Sequence, residues 1–154
     1  MERKTKVNAE DGKQDLLITR EFDLPVELLF KAYEDAEIVE QWMGTKVIKL
    51  ENKQHGGWHF QTSAGGQVVF EAHGTIHDFV PGKRIVRTFE MFNAGFETQL
   101  EFLEFESLSE DRSKLNMQIV YRSNEHRNEV LKLPFSYGIN MAHDRLQEVV
   151  NQLK

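Results

Sequence analysis

The chain has 154 residues, 19 basic and 25 acidic side chains, a formal net charge of −6 and no cysteine. This length predicts one domain, and the lack of cysteine excludes a disulfide framework, a zinc ribbon and a thiolate nucleophile. An acidic balance with dispersed lysines argues against a nucleic-acid partner, because phosphate binding needs a concentrated basic face.

The N-terminal region lacks the patterns of regular structure. Residues 1–14 are polar and aperiodic, which predicts a mobile N-terminal arm, followed by a single domain over residues 15–154. The charged start has no apolar segment behind it, and no apolar run approaches the roughly 20 residues of a membrane span. We therefore expect a cytoplasmic protein without a membrane span.

The first elements are a strand and two short helices. Alternating apolar and polar residues predict a strand over residues 16–22. Asp23 and Pro25 then mark the start of a helix of about nine residues. A second short helix is predicted over residues 36–42, ending at Gly44.

Closely spaced turn signals divide the middle of the chain into strands, which short connections force to pair antiparallel. These strands are predicted over residues 46–51, 58–62, 67–80, 84–92, 96–106 and 114–121. Apolar residues at steps of three and four predict a long helix over residues 134–153. The expected fold is α+β: a curved antiparallel sheet of six or seven strands gripping a long C-terminal helix, with two short helices after the first strand.

Several short motifs in a fixed order link these elements to a known family. They lie at residues 18–25, at the Gln41-Trp42-Met43-Gly44 corner, at residues 56–60, 74–81 and 84–86, and on the closing helix at Gly138 and Leu146. With them the chain resembles the START-like (SRPBCC) superfamily, which has the helix-grip fold. More closely, it resembles the family of homologues of the activator of the heat-shock protein ATPase. The resemblance spans roughly residues 16–153.

This resemblance implies several functions, because the fold hosts lipid carriers, cyclases, hydrolases and co-chaperone domains. The leading hypothesis is a binding protein that holds one apolar or amphipathic small molecule, lipid-like or aromatic, between the helix and the sheet. The first alternative is a co-chaperone-like interaction module, whose partner is a chaperone or a second copy of the chain. The second is an enzyme of the cyclase or hydrolase type that uses the same cavity. The eukaryotic co-chaperone places a chaperone-binding domain before this module, and we do not expect its activity to carry over.

The candidate cavity residues are mid-strand aromatics, one arginine, a corner tryptophan and two residues of the closing helix. Trp42 is interpreted equally well as a lid aromatic and as a core residue. The full set is Trp42, Phe60, Phe70, Arg87, Phe89, Phe102, Tyr137 and Met141.

Charged residues interrupt three apolar strand faces. Arg20 and Arg87 each lie between two apolar residues of one face, and Glu104 follows Leu100 and Phe102 on another. If these faces point inward, each arginine requires a carboxylate or phosphate partner. If they point outward, the arginines extend into water.

No catalytic, metal or cofactor site is predicted. His73 and His77 are four residues apart on a strand, about 13 Å, too far to share one zinc ion. The serines fall in turns or at a helix start, and no nucleophile elbow, phosphate loop or dinucleotide motif occurs.

Overall fold

Eight strands and four helices occupy residues 4–154, the part of the chain that this computed structural model describes. They are β1 (Lys6–Asn8), β2 (Asp15–Phe22), α1 (Val26–Glu34), α2 (Ala36–Met43), β3 (Lys46–Leu50), β4 (Gly57–Ala64), β5 (Gln67–Val80), β6 (Arg84–Met91), β7 (Gln99–Ser109), β8 (Arg112–Val120), α3 (Asn124–Leu131) and α4 (Phe135–Asn151).

The strands form one antiparallel sheet in the order β1-β2-β8-β7-β6-β5-β4-β3. The expected α+β helix-grip architecture is confirmed, with eight strands in place of six or seven. From β3 to β8 each strand pairs with the next along the chain, since the connections are short. β2 closes onto β8, which brings the two ends of the domain together.

The N-terminal segment differs from the predicted arm over residues 1–14, because β1 lies within it. Val7 pairs with Ile18 of β2, and Thr5 is only 3% exposed. Residues 1–3 lie outside the described part of the chain. Three strand residues are too few for a detectable alternation, so only pairing with β2 reveals them. α3 escaped prediction for a similar reason, since most of its residues are polar.

One face of the sheet, the inner face, carries the core. The register aligns Ile18, Met117, Leu103 and Ile85 across four neighbouring strands, and all four are buried. Successive side chains of a strand point to opposite faces. The other face, the outer face, therefore carries residues such as Leu17, which is 46% exposed.

The two short helices are joined by Asp35, whose carboxylate accepts hydrogen bonds from the backbone N–H groups of Glu37 and Ile38. This is an N-cap interaction that starts α2 directly after α1. α2 ends at Gly44, which has a φ of 64°. The left-handed conformation there favours glycine.

The closing helix α4 is buried unevenly along its length. Near its C-terminal end, Leu146 and Val150 are fully buried. The helix packs against α1 and α2. Near its N-terminal end, Phe135 and Ile139 are only half-buried. Among residues 4–154, no helix has the length and apolar character that crossing a membrane requires.

Candidate functional site

A buried ion pair lies on the inner face, where β6 and β7 place Arg87 opposite Glu101. Arg87 donates through Nε to Glu101 Oε1 at 2.9 Å, and the side chains are 11% and 4% exposed. Gln99 donates to the other carboxylate oxygen at 3.0 Å. Each charge therefore has a partner, which burial of a charge requires.

An aromatic wall, formed by Trp58, Phe60, Phe70 and Phe89, continues from this ion pair across the inner face. The Arg87 guanidinium carbon lies 5.1 Å from the Trp58 ring centroid, a cation–π distance. Trp58 lies 4.8 Å from Phe60 and 5.4 Å from Phe89, and Phe70 lies 6.5 Å from Phe89. Trp58 and Phe60 are buried, whereas Phe70 and Phe89 are half-buried.

Gly74 makes room for this wall. A Cβ atom at this position would lie 1.9 Å from the Thr88 carbonyl oxygen and 2.6 Å from Nε1 of Trp58. Because that space is free, the Trp58 indole N–H donates to the Thr88 carbonyl oxygen at 3.0 Å. The absence of a side chain at Gly74 thus allows the indole nitrogen to pass close to the backbone of β5.

Two tyrosines flank the ion pair. Tyr33 comes from α1 and Tyr121 directly follows β8, and they are 7% and 1% exposed. Burial raises the pKa of Tyr33; Arg87 counteracts this increase, and Glu101 adds to it. Burial, with the negative charge of Glu101, also raises the pKa of Tyr121. Both phenols are therefore neutral at physiological pH.

His126 of α3 closes this side of the inner face. Its ring stacks on Phe96 at 5.7 Å and meets the edge of Tyr121 at 5.1 Å. Among residues 4–154, neither ring nitrogen of His126 has a hydrogen-bond partner, and neither does the Tyr121 hydroxyl, although all three atoms are buried.

A second polar cluster joins α4 to β2. Arg20 is 3% exposed, pairs with Asp144 at 2.8 Å and donates to the Thr5 hydroxyl at 3.2 Å. That hydroxyl also lies 2.8 Å from Nδ1 of His143. Burial and the nearby charge of Arg20 lower the pKa of His143 to about 3, with Asp144 acting in the opposite sense. This cluster fastens the helix and the N-terminal segment to the sheet.

Four of the predicted cavity residues come together. Phe60, Phe70, Arg87 and Phe89 lie on the inner face within the aromatic wall or beside it. Trp42 lies elsewhere in the core and is 4% exposed; its indole N–H donates to the Ala32 carbonyl at 2.7 Å. Of the two interpretations offered for Trp42, the core residue matches this position.

The interior placement of the other three residues needs correction. Phe102 lies on the outer face, because it alternates with the buried Glu101 and Leu103. Tyr137 and Met141 are 55% and 46% exposed, because α4 turns its Leu146 side inward. A stripe offset from the apolar one faces outward on such a helix.

Both arginines point inward, so the condition for needing an anionic partner is met. Carboxylates of the chain itself supply it: Asp144 for Arg20 and Glu101 for Arg87. Sequence reasoning missed Glu101 because it singled out Glu104, which lies on the opposite face of β7, as the charged residue of that strand. The sequence did contain a signal for Glu101, because it is the polar residue in the alternation formed with Leu103 and Phe105.

Trp58, Tyr121 and His126 were also missed. Trp58 was visible as a strand aromatic next to Gly57, whereas the contact between Tyr121 and His126 joins a strand end to a helix without an apolar pattern.

Two histidines of the outer face pair with glutamates of the sheet. His59 lies 2.6 Å from Glu71, and His73 lies 2.8 Å from Glu90. Within residues 4–154, no group of three or more histidines and carboxylates is arranged to hold a metal ion.

Most of the chain is similar to one known protein family. The family described as "Activator of Hsp90 ATPase homolog 1-like protein" matches residues 23–151. Among curated proteins, none matches the chain.

Similar solved structures come from bacteria. Protein Ms6760 from Mycobacterium smegmatis is 17% identical with a TM-score of 0.83, covering 94% of this chain and 95% of that one. A protein from Rhodobacter sphaeroides is 17% identical with a TM-score of 0.84, covering 96% and 99%. CalU16 from Micromonospora echinospora is 19% identical with a TM-score of 0.67, covering 97% and 85%. At such identities the likeness concerns the fold alone.

Proposed function

Because this chain belongs to the family of activator of Hsp90 ATPase homolog 1-like proteins, over residues 23–151, we propose that it binds an apolar or amphipathic small molecule. The ligand lies between α4 and the inner face of the sheet, against Phe70 and Phe89 of the aromatic wall. We place this activity in the cytoplasm.

The uneven burial of α4 is the observation that carries the proposal. Leu146 and Val150 are fully buried at one end of the helix, whereas Phe135 and Ile139 are half-buried at the other. A helix that served only to complete the core would bury its apolar stripe along its whole length. Half-buried apolar residues on both α4 and the strands instead favour a binding site at this end.

The strands supply the facing surface. Phe70, Phe89 and Met91 are half-buried on the inner face, and Phe96, in the loop before β7, is half-buried as well. Pockets for small molecules are lined chiefly by apolar and aromatic groups with a few polar ones. The Arg87–Glu101 pair supplies polar groups at the base of this surface.

The experiment compares two phenylalanines on opposite faces of adjacent strands. Binding of Nile red, a neutral apolar dye, is measured by fluorescence for the wild type, Phe89→Leu and Phe102→Leu. We expect about tenfold weaker binding for Phe89→Leu, since a lost aromatic contact costs about 1 kcal/mol or more. Phe102→Leu, on the outer face, leaves the affinity unchanged. A wild-type protein that binds no dye, or equal losses in both variants, contradicts the proposal.

A protein partner is the second candidate, and the outer face favours it. A groove of about 620 Å³ there is lined by apolar residues that include Val86, Leu100, Phe102 and Val120. The test measures the ATPase rate of a purified chaperone of the Hsp90 class with and without this protein. An increased rate that Phe102→Glu abolishes and Phe89→Leu preserves supports this candidate, whereas an unchanged rate rejects it.

A further inference from the structure

Three buried polar atoms on the Tyr121 side of the inner face have no hydrogen-bond partner within the part of the chain that the structure describes, residues 4–154. They are the Tyr121 hydroxyl and both ring nitrogens of His126, and the two rings are 5.1 Å apart. Tyr121 follows Val120, which pairs with Leu100, so alternation carries it to the same face as Gln99 and Glu101. Gln99 in turn pairs with Phe89 of the aromatic wall. The three atoms therefore border the proposed binding surface.

These atoms weaken the fold unless something pairs with them. A buried donor or acceptor without a partner forfeits its hydrogen bonds to water and receives none in return. Most buried polar groups in folded proteins are paired, so two neighbouring side chains with three orphan atoms require an explanation. A tyrosine that served only to fill space could be a phenylalanine.

The charges nearby decide which ligand group suits these atoms. Arg87 and Glu101 neutralise each other, and Gln99 occupies the second carboxylate oxygen of Glu101. No surplus positive charge among these residues remains for an anionic ligand. Burial and the negative charge of Glu101 favour the neutral phenol of Tyr121, which can both donate and accept.

The geometry points to a ligand with an uncharged oxygen-bearing head, a hydroxyl or carbonyl, on an apolar body. We propose that the Tyr121 hydroxyl and the His126 imidazole hydrogen-bond this head, while Phe89 and Phe96 contact the body. This inference rests on the proposed small-molecule binding and specifies its ligand class.

Three matched aromatic probes test the head-group inference separately from the proposed small-molecule binding. All three probes share the naphthalene ring system as their apolar body. Naphthalene has no head group, naphthol has a neutral hydroxyl and naphthoate has an anionic carboxylate. Affinities for the wild type are measured by competition with Nile red. We expect naphthol to bind about tenfold tighter than naphthalene, because one hydrogen bond replaces an unpaired group. Naphthoate binds about tenfold or more weaker than naphthol, because its charge is desolvated and neither Arg87 nor another surplus cation among these residues pairs with it.

Two variants locate the head group. Tyr121→Phe and His126→Phe keep the rings and remove the polar atoms, so each lowers naphthol affinity about tenfold and leaves naphthalene affinity unchanged. Tyr137→Phe, the same deletion on the exposed face of α4, is the matched control and leaves naphthol affinity unchanged. In thermal unfolding without ligand, Tyr121→Phe melts at the same temperature as the wild type or higher, because it removes an unpaired buried hydroxyl.

The outcomes distinguish the two levels of the proposal. Equal affinity for naphthalene and naphthol, tightest binding of naphthoate, or a Tyr121→Phe variant that binds naphthol normally overturns the inference and leaves apolar binding intact. No binding of Nile red or of any probe overturns the binding function and the inference together. A Tyr121→Phe variant that melts clearly lower assigns the hydroxyl a structural role, which also overturns the inference.

Discussion

Two buried arginines of the strands are neutralised within the chain. Arg20 and Arg87 are each paired with a carboxylate from another element, Asp144 of α4 and Glu101 of β7. An arginine buried without such a partner would cost several kcal/mol. The Arg20 pair connects β2 with α4, which are distant in sequence, whereas the Arg87 pair joins the consecutive strands β6 and β7.

His143 makes the stability of the protein dependent on pH. The folded chain keeps this histidine neutral down to a pKa of about 3, whereas the unfolded chain protonates it below its ordinary pKa of 6.5. The unfolded state therefore binds more protons between these values, and the free energy of unfolding falls as the pH decreases through this window. At about 1.4 kcal/mol per pH unit, this residue removes about 2 kcal/mol between pH 6.5 and pH 5.

Urea denaturation at pH 7 and pH 5 checks this expectation. The loss of unfolding free energy is about 2 kcal/mol smaller in His143→Gln than in the wild type, since glutamine does not titrate. His77→Gln, at an exposed histidine, is the control and keeps the wild-type loss. An identical pH dependence in wild type and His143→Gln refutes the assignment.

The helix α4 combines two tasks along one amphipathic stripe. Its C-terminal half fills the core at Leu146, and its N-terminal half presents Phe135 and Ile139 at the proposed binding surface. The three- and four-residue spacing is the same in both halves. The packing of the two halves differs: α1 and α2 pack against the helix, and Leu146 is fully buried whereas Ile139 is half-buried.

Alanine substitutions in the two halves therefore have different costs. Leu146→Ala lowers the free energy of unfolding by about 3 kcal/mol, because it leaves a cavity in a filled core. Ile139→Ala costs about 1 kcal/mol, because the side chain is already half-exposed and less area is lost. Urea denaturation measures both, and Nile red binding weakens in Ile139→Ala. Equal costs at the two positions would mean that α4 packs uniformly, which would also remove the main support for the binding site.

The whole sheet depends on contacts between its N-terminal edge and its last helix. β1 covers the edge of β2, and Thr5 beside it bonds to Arg20 and lies within hydrogen-bond distance of His143. Asn140 of α4 accepts a further bond from the Thr5 backbone N–H at 3.1 Å. The first strand, the second strand and the closing helix thus form one unit.

Removal of residues 1–8 tests this unit. In the truncated chain Arg20 and His143 lose the Thr5 hydroxyl as a hydrogen-bond partner, and the edge of β2 is exposed. We therefore expect the free energy of unfolding to fall by about 2–4 kcal/mol. The urea midpoint measures the change. Thr5→Val isolates the hydroxyl and accounts for about 1–2 kcal/mol of this loss. A truncated chain with the wild-type midpoint would indicate that β1 contributes nothing to the fold.

The sequence predicted the fold better than the site. Alternation located β2, the flanking turn signals located β5, and the three- and four-residue spacing located α4, because these patterns reflect local geometry. The same alternation placed Arg87 and Phe89 on one face, together with the buried Ile85.

In β7 the local sequence pattern does not predict which face of the strand is buried. Leu100 and Phe102 form one apolar alternation, and Leu103 and Phe105 form the other, so both faces of the strand look buried. Pairing with β6 and β8 places Leu103 on the inner face and Phe102 on the outer face. Glu101 lies on the inner face with Leu103 and is buried. Period alone cannot choose between two apolar faces, because the choice depends on which face the neighbouring strands also bury.

What the amino-acid pattern settles here is therefore the set of elements, their antiparallel order and the amphipathic closing helix, all of which follow from spacing along the chain. Which acid meets Arg87, how deeply Ile139 is buried, and that Tyr121 lies against His126 depend on how the elements pair and pack. Such contacts arise when the sheet curves and the helices pack upon it, and no local periodicity encodes them.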